Sequence, residues 1–567
     1  MKRRSRFLLL TLLLGCLSAG WLVWVRPGNV DMAAYAPADS LLYLEANRPV
    51  EILDAVSSTD AWKVVANLTG RPASESQGRW LRALVRWTGL GPIRTVILAR
   101  SQVAVVISDL RTAEEGASLN VKTEGAFLIE THTSERRIRP VVEETLKSLA
   151  DRTYGRPTER RITIDGAEFV EWLAPDASRQ IVSTTLGSLV IVGTSEHIVQ
   201  QCLSVAQKRA ASLSADTELH AMRARLASDR ALTFGYVPPA NSARLLAVAL
   251  PILLGQAPGD SQFQKLITNG ATRVFGSVGW TSSKYSTGIE DRYSINLAPS
   301  IVDRLRPAFL SAGNPQAGSG LPNVYSITNY EFANPLAAWQ TLKTAVSSQV
   351  DALSTILFSS LLKSALLSYG IDEPEAFLSA VNGNLQTLRV DGSSERSILI
   401  ARVRDRTSLR QLFLKTLRAD NSRAATADAE MFIDTEQEIA AALSNDLVVS
   451  GPAIDVRRYL EIAGDLNKNS TNLNRMAFFA STSANPCVIT YADDSDRVRR
   501  FAATLIEARE ANVSSERLEA AIALLPYSVT ETRIGERGIE RINRSPLGQF
   551  SSIVPLLFPE KSNAATR

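Results

Sequence analysis

The chain repeats itself, and that repetition limits its fold more than any compositional feature does. Phe127–Leu146 (FLIETHTSERRIRPVVEETL) lies without a gap over Ile398–Leu417 (ILIARVRDRTSLRQLFLKTL) at an offset of 271, with five identities. Ala167–Phe169 then matches Ala429–Met431, and Leu189–Gly193 matches Leu447–Gly451. Further on, Tyr236–Leu250 matches Tyr491–Leu505, and Gly288–Glu290 matches Gly538–Glu540. The offsets run 271, 262, 258, 255 and 250, so order is kept while loops shorten. Five matches in one order point to tandem duplication of one large unit. A length of 567 residues suits two units near the upper size of a single core.

The spacing of apolar residues predicts an α+β fold with mainly antiparallel sheets and packed amphipathic helices. Unit 1 is expected over 35–311 and unit 2 over 321–558, with a Gly/Pro-rich linker at 312–320 and a polar tail at 559–567. Each unit should open with a strand, Ser40–Glu45 or Asn323–Thr328. Amphipathic helix is expected near Asp60–Trp87, then strands at Arg94–Ala99, Val103–Ser108 and Ala126–Glu130. The next helix sets Ile138, Val141, Val142 and Leu146 on one face, and unit 2 repeats the stripe with Leu409, Leu412, Phe413 and Leu417. Ser134 and Asp405 are natural N-caps for these helices. Strands Glu168–Leu173, Gln180–Thr184 and Ser188–Val192 follow so closely that only antiparallel hairpins fit. A last hairpin is expected at Thr272–Thr281 and Gly288–Ala298. The halves should superpose strand for strand, and Tyr236 and Tyr491 should end equivalent strands.

The N-terminus is a sorting signal. Lys2, Arg3, Arg4 and Arg6 precede Phe7–Val25, 19 residues without a charge, closed by Arg26 and Pro27. As a helix the run would span roughly 28 Å, close to a bilayer's hydrocarbon thickness. The expectation is a signal-anchor at 7–25 with a basic cytoplasmic segment at 1–6 and the lipid bilayer as partner. Trp21 and Trp24 stand at the outer end, and the C-terminal domain would be periplasmic or extracytoplasmic at a bacterial inner membrane. Two alternatives stay open: a lipoprotein acylated at Cys16 after Leu13-Leu14-Gly15, and a cleaved signal. Removing the four N-terminal cations from the 62 basic residues leaves 58 against 58 acidic ones. That neutral balance gives no support to nucleic-acid binding.

Reactive motifs are scarce. No nucleophile elbow, phosphate loop or C-x-x-C pair occurs. His132, His197 and His220 all fall in unit 1 and fit no metal-ligand spacing; unit 2 has Val403 and Asp455 where unit 1 has His132 and His197. Ser360 and Lys363 have S-x-x-K spacing, but they lie in an apolar helical run, Ile356–Leu367, and lack the partner motifs of penicillin-binding enzymes. Asp493, Asp494 and Asp496 could ligate a hard cation, yet they also sit where a helix dipole favours carboxylates. Unit 1 has Pro238, Pro239 and Asn241 there. Cys202 and Cys487 read as buried apolar groups, though an oxidising compartment would permit a bridge between them. No residue is assigned a catalytic, cofactor-binding or metal role, and no cofactor is expected.

Pro37-Ala38-Asp39-Ser40-Leu41-Leu42-Tyr43-Leu44, soon after the apolar run, resembles the P-A-D-x-x-x-Y-L start of bacterial envelope proteins grouped as a domain of unknown function. The resemblance covers unit 1 better than unit 2, where Leu321-Pro322-Asn323-Val324-Tyr325 departs from it. It implies a bacterial extracytoplasmic protein and brings no functional residues. Two readings follow: a non-enzymatic binding or envelope-assembly protein with a site between the units, or a hydrolase of envelope material working through carboxylates.

Overall fold

The computed structural model describes residues 28–68, 100–115, 118–253, 261–309, 324–350, 352–392, 396–419, 429–434, 436, 438–466, 486–508 and 513–551. Within them twenty strands form one sheet. Unit 1 supplies β1 (Leu42–Ala46), β2 (Gln102–Glu115), β3 (Ser118–Glu130), β4 (Thr158–Ile164) and β5 (Ala167–Leu173). It continues with β6 (Gln180–Leu186), β7 (Leu189–Gly193), β8 (Thr233–Val237), β9 (Phe275–Tyr285) and β10 (Gly288–Leu297). Unit 2 supplies β11 (Ser326–Glu331), β12 (Val381–Arg389), β13 (Ile398–Val403), β14 (Arg418–Ala419) and β15 (Glu430–Asp434). It ends with β16 (Ile439–Leu443), β17 (Leu447–Pro452), β18 (Val488–Ala492), β19 (Ser528–Ile534) and β20 (Gly538–Ser545).

Followed through its hydrogen bonds, unit 1 runs β4-β5-β6-β7-β3-β2-β1-β8-β9-β10. Unit 2 runs β14-β15-β16-β17-β13-β12-β11-β18-β19-β20. The two orders are the same order, each strand's counterpart standing ten further along the chain. All pairings are antiparallel, and β10 pairs with β20 to join the units. At that joint Arg292 faces Ile542, its own equivalent at the offset of 250, while Ile289 faces Ser545 and Ile295 faces Ile539. The spacing is equal on both sides, so a local two-fold axis passes between Arg292 and Ile542. Gly538 is required there: its φ is +145°, and a Cβ would meet the Ile295 carbonyl oxygen at 2.1 Å. The outer edge strand β4 carries Glu159, Arg160 and Arg161 toward solvent, charges that discourage further strand addition.

Helices cover both faces. On the first face, Tyr43, Leu128, Ile191 and Phe234 pack under the helices Glu196–Ala206 and Thr217–Leu226. In unit 2, Ile327, Ile400, Met431 and Val449 lie with Val456 of the helix Ala453–Leu466. On the second face, the helix Glu135–Tyr154 buries Ile138, Val141, Val142 and Leu146 against Val170, Trp172 and Val190. The helix Arg406–Thr416 buries Leu409, Leu412 and Phe413 against Leu399, Ala401 and Phe432. Each such side chain contributes roughly 1.5–3 kcal/mol. The joint is tied a second time by an exchange of ends. Ile301, Val302 and Leu305, after β10, pack on Ala345 and Val346 at the start of unit 2. Leu547 and Phe550, after β20, pack on Trp62 and Val65 near the start of unit 1.

The α+β, antiparallel character expected from sequence is present, but the preceding transmembrane helix has to be corrected. Among the described residues no helix is long and apolar enough to cross a membrane. The longest, Glu135–Tyr154, has a charged outer face, and the apolar Ala352–Leu367, at 16 residues, reaches only about 24 Å. Phe7–Val25, which prompted that expectation, lies outside the described residues, as do Arg94–Ala99, the linker 312–320 and the tail 559–567.

The offsets of 262, 258, 255 and 250 agree with the sheet register, and the gapless 271 holds only for the helix. Phe127 faces Val192, and Leu399 faces Ser450, which is 258 residues beyond Val192. Phe127 is thus equivalent to Leu399, not Ile398: the turn into the second helix is one residue shorter. Side-chain alternation demands this, because a one-residue slip would turn Ile398 and Ile400 away from their core. The caps also differ. Asp405 accepts from Ser408 N at 3.1 Å, whereas the Ser134 side chain makes no capping bond. Thr272–Val274 belongs to the helix before β9 rather than to the strand.

Candidate functional site

Strand alternation sends Glu290, Arg292 and Ser294 of β10 and Glu540, Ile542 and Arg544 of β20 to the first face, at the joint. Arg544 stands opposite Glu290 in the ladder and donates to it at 2.8 Å, and to Glu531 of β19 at 3.2 Å. The Arg544 and Glu531 side chains are 3% and 1% exposed. The Tyr285 ring lies 4.9 Å from the guanidinium, and Arg292 closes over Glu290 at 2.7 Å. Two carboxylates and a guanidinium can share this dry place only because each offsets the others' lost hydration. At the symmetry-related end the equivalents of Arg544 and Glu531 are Ser294 and Thr281; Glu540, the equivalent of Glu290, pairs with Arg533 of β19 at 2.8 Å, and a second cation arrives from a helix. Arg225 donates to Ser294 Oγ at 3.0 Å and to Asn296 Oδ1 at 2.6 Å.

The second face of the same joint holds two buried carboxylates, each with its own partners. Asp291, 1% exposed, accepts from Ser282 Oγ at 2.5 Å and from Gln549 N at 3.1 Å. Asp494, 8% exposed, precedes the helix Ser495–Ala508, with Arg497 at 3.6 Å. Burial pushes the Asp494 carboxyl up to about 6 and raises Asp291 too; Arg497 and Ser528 pull Asp494 back, while Asp493 and Asp291 add to the rise.

A third polar cluster grows out of the P-A-D-x-x-x-Y-L segment. Pro37 bridges Ser212, Ala38 N donates to the Ala211 carbonyl at 3.2 Å, and Ser40 Oγ turns back to Pro37 O at 2.5 Å. Fully buried Tyr43 donates to Glu45 at 2.6 Å, and Arg223 reaches Glu45 at 2.7 Å and Asp31 at 3.0 Å. Desolvation raises the Glu45 carboxyl against the opposing pull of Arg223. The motif therefore fastens the first strand to the helix Thr217–Leu226. In unit 2 the equivalent of Glu45 is Asn329, since Tyr43 faces Tyr236 where Ile327 faces Tyr491. Both amide atoms of Asn329 are buried without a partner.

The residues singled out by sequence are scattered. His132 sits at φ +51°, its backbone N–H held by Glu130 at 2.9 Å. His197 is exposed on the helix Glu196–Ala206, and His220 bonds the Ser214 carbonyl at 2.8 Å. Lys363 is paired with Asp372 at 2.8 Å, which raises its amine, the opposite of what a lysine base needs, and Ser360 is exposed. Asp493 caps Ser495 N at 2.8 Å, and Asp496 accepts from Tyr325 at 3.0 Å, so the three aspartates turn to different partners. Among the described residues no group of three His, Cys, Asp or Glu could hold a metal ion. Cys202 and Cys487 are free and buried, with the Cys202 thiol pushed up to about 12 by burial. Cys16 lies outside the described residues.

Sequence reasoning found the Gly288–Glu290 and Gly538–Glu540 repeat but missed that these strands pair with each other. The signal was there: Glu290 and Arg544 share one face of their strands with opposite charge. No family model matches the chain, and no curated protein or solved structure does either. The likeness at Pro37–Leu44 stands on that motif alone.

Proposed function

We propose that the chain is an exported, non-catalytic protein of the bacterial envelope that binds or helps assemble an envelope protein, lipid or cell-wall component. The observation that carries this is the use made of charge at the joint. Glu290, Glu531 and Arg544 are buried and turned on one another, and Asp291 on a hydroxyl and on the backbone of Gln549, so they hold two units together. The result is a continuous platform of twenty strands, on the order of 90 Å along the sheet at about 4.8 Å per strand. The four N-terminal cations before an apolar run support export. A hydrolase built on Asp291 and Asp494 would need both carboxyls to meet substrate, and their burial opposes that.

The test is affinity purification of the tagged full-length chain from membranes, with protein and lipid identification. One envelope component enriched in near-stoichiometric amount supports the reading. Release of fragments from purified envelope polymer, lost in Asp494→Asn, would replace it with the hydrolase. A reporter active only outside the cytoplasm, fused after Arg567, should be active; activity of a cytoplasm-only reporter there would refute export.

A further inference from the structure

We propose that the second face of unit 1 binds an anionic lipid, its acyl chain laid across the strands and its head beside Arg541. The proposal rests on the envelope-binding reading and names lipid as the ligand. From Trp280 of β9 one rung of the sheet passes through Gly235 of β8, Leu44 of β1 and Val105 of β2 to Phe127 of β3. Strand alternation turns this rung to the second face, because the flanking Tyr43, Ala104, Leu128 and Phe234 pack into the first. Leu44, Val105 and Trp280 are part-exposed and Phe127 is 52% exposed. None of the four lies in a buried cluster of the described residues. Gly235 keeps the floor even: the Trp280 indole lies over it, and a Cβ there would meet the ring at 2.1 Å.

Unit 2 shows that the sheet itself does not require apolar side chains there. The counterparts of Leu44, Val105 and Trp280 are Thr328, Thr387 and Thr530, which occupy the equivalent rung. One rung aside, Leu42 and Ile107 have Ser326 and Arg389 as counterparts. Leu399, the counterpart of Phe127, stays apolar because it is buried under the unit 2 helices. A row that is hydroxylated in one copy, and apolar yet part-open in the other, marks a surface that meets something apolar.

The head end says which apolar partner fits. Beyond Trp280 the rung continues to Tyr293 of β10 and Arg541 of β20. Arg541 is exposed, lies 6.0 Å from the Tyr293 ring centroid and makes no ion pair among the described residues. Arg497, half exposed, also bears on the Tyr293 phenol but is shared with Asp494. Polarity therefore runs lengthwise: cation, phenol, indole, aliphatic, phenyl. An amphipathic protein helix carries its charges along its flanks, whereas a lipid carries its charge at one end. From Trp280 to Phe127 the row measures about 19 Å at about 4.8 Å per strand. That holds one chain from a leaflet whose hydrocarbon is about 15 Å deep.

The test is titration of the purified full-length protein with stearate dibrominated at mid-chain, followed by tryptophan fluorescence. Saturable quenching is expected, most of which Trp280→Phe removes. Leu44→Thr with Val105→Thr, which installs the unit 2 residues, should weaken binding at least about tenfold while the unfolding midpoint stays put. Arg541→Gln should weaken stearate about threefold and leave the corresponding neutral alcohol unchanged. Absence of saturable quenching, undiminished binding in the double threonine variant, or an equal effect of Arg541→Gln on acid and alcohol overturns the proposal. A dimer that the double variant dissolves, without stearate binding, gives the face to a second copy and also overturns it. So does a clear fall in that variant's unfolding midpoint, which gives the face to residues 69–99 of the same chain. Enrichment of a protein or cell-wall component from membranes, with no stearate binding, refutes this inference and leaves envelope binding standing.

Discussion

At the two ends of the β10–β20 joint the same backbone positions carry different chemistry. One end buries Glu290, Arg544 and Glu531 in a triad whose members all come from strands. The other has Glu540, Ser294 and Thr281 at these positions; there Glu540 pairs with Arg533 of β19 in a more exposed place, and Arg225 comes from a helix to bind neutral oxygens. Backbone pairing is thus kept by symmetry while side chains diverge, provided each end leaves no charge buried alone. The same lesson holds deeper in the units. Gly279 is equivalent to Val529, and it is glycine because a Cβ would meet Met222 Cγ at 2.3 Å, where the helix Thr217–Leu226 descends onto the strand.

The largest expected effect breaks the triad. Arg544→Met leaves Glu290 and Glu531 without their shared cation in a dry site and should cost about 3–5 kcal/mol in denaturant unfolding. At the other end Arg225→Met loses bonds to neutral partners only, and about 1–2 kcal/mol is expected. Equal costs would mean that the two ends do the same work and that the charge comparison is wrong.

Next in size is the strand pair whose register the structure resets. Leu399, 4% exposed beneath the unit 2 helices, should cost about 2–4 kcal/mol as Leu399→Ala. Its counterpart Phe127 is 52% exposed, and Phe127→Ala should cost under about 1 kcal/mol by the same measurement. A Phe127 variant as damaging as the Leu399 one would show that the face over β3 is covered in solution.

The smallest effect sharpens the contrast between Glu45 and Asn329. Asn329→Leu removes two buried polar atoms that have no partner and should raise stability by about 1 kcal/mol, seen as a higher unfolding midpoint. Glu45→Leu strips Arg223 and Tyr43 of their acceptor and should move the midpoint down. If Asn329→Leu is instead destabilising, the amide is engaged by water or a ligand in solution.

Much of the fold could be read from the residues. The stripes Ile138, Val141, Val142, Leu146 and Leu409, Leu412, Phe413 do occupy equivalent helices, because a 3.6-residue period buries one face wherever the helix lies; Leu417 is buried too, but as the extended residue that ends the second helix. The hairpins from Ala167 to Gly193 follow from turns too short for any crossover. The edge strand β4, with Glu159, Arg160 and Arg161 in a row, lacks the alternation that marks a strand and went unseen. The charged joint was also missed: Glu290 and Arg544 are 254 residues apart, and nothing local tells a strand that its partner lies in the other copy.

The sequence by itself determined that there are two related units, the type of most elements and the residues each helix turns inward, since periodicity and repetition are properties of a chain read locally. Only the tertiary structure decided that the units share one sheet, because strand pairing through backbone hydrogen bonds carries no side-chain code for which edge meets which. It also decided which carboxylates are costly to ionise: Asp494 is an ordinary helix-start aspartate until burial in the folded chain removes its water.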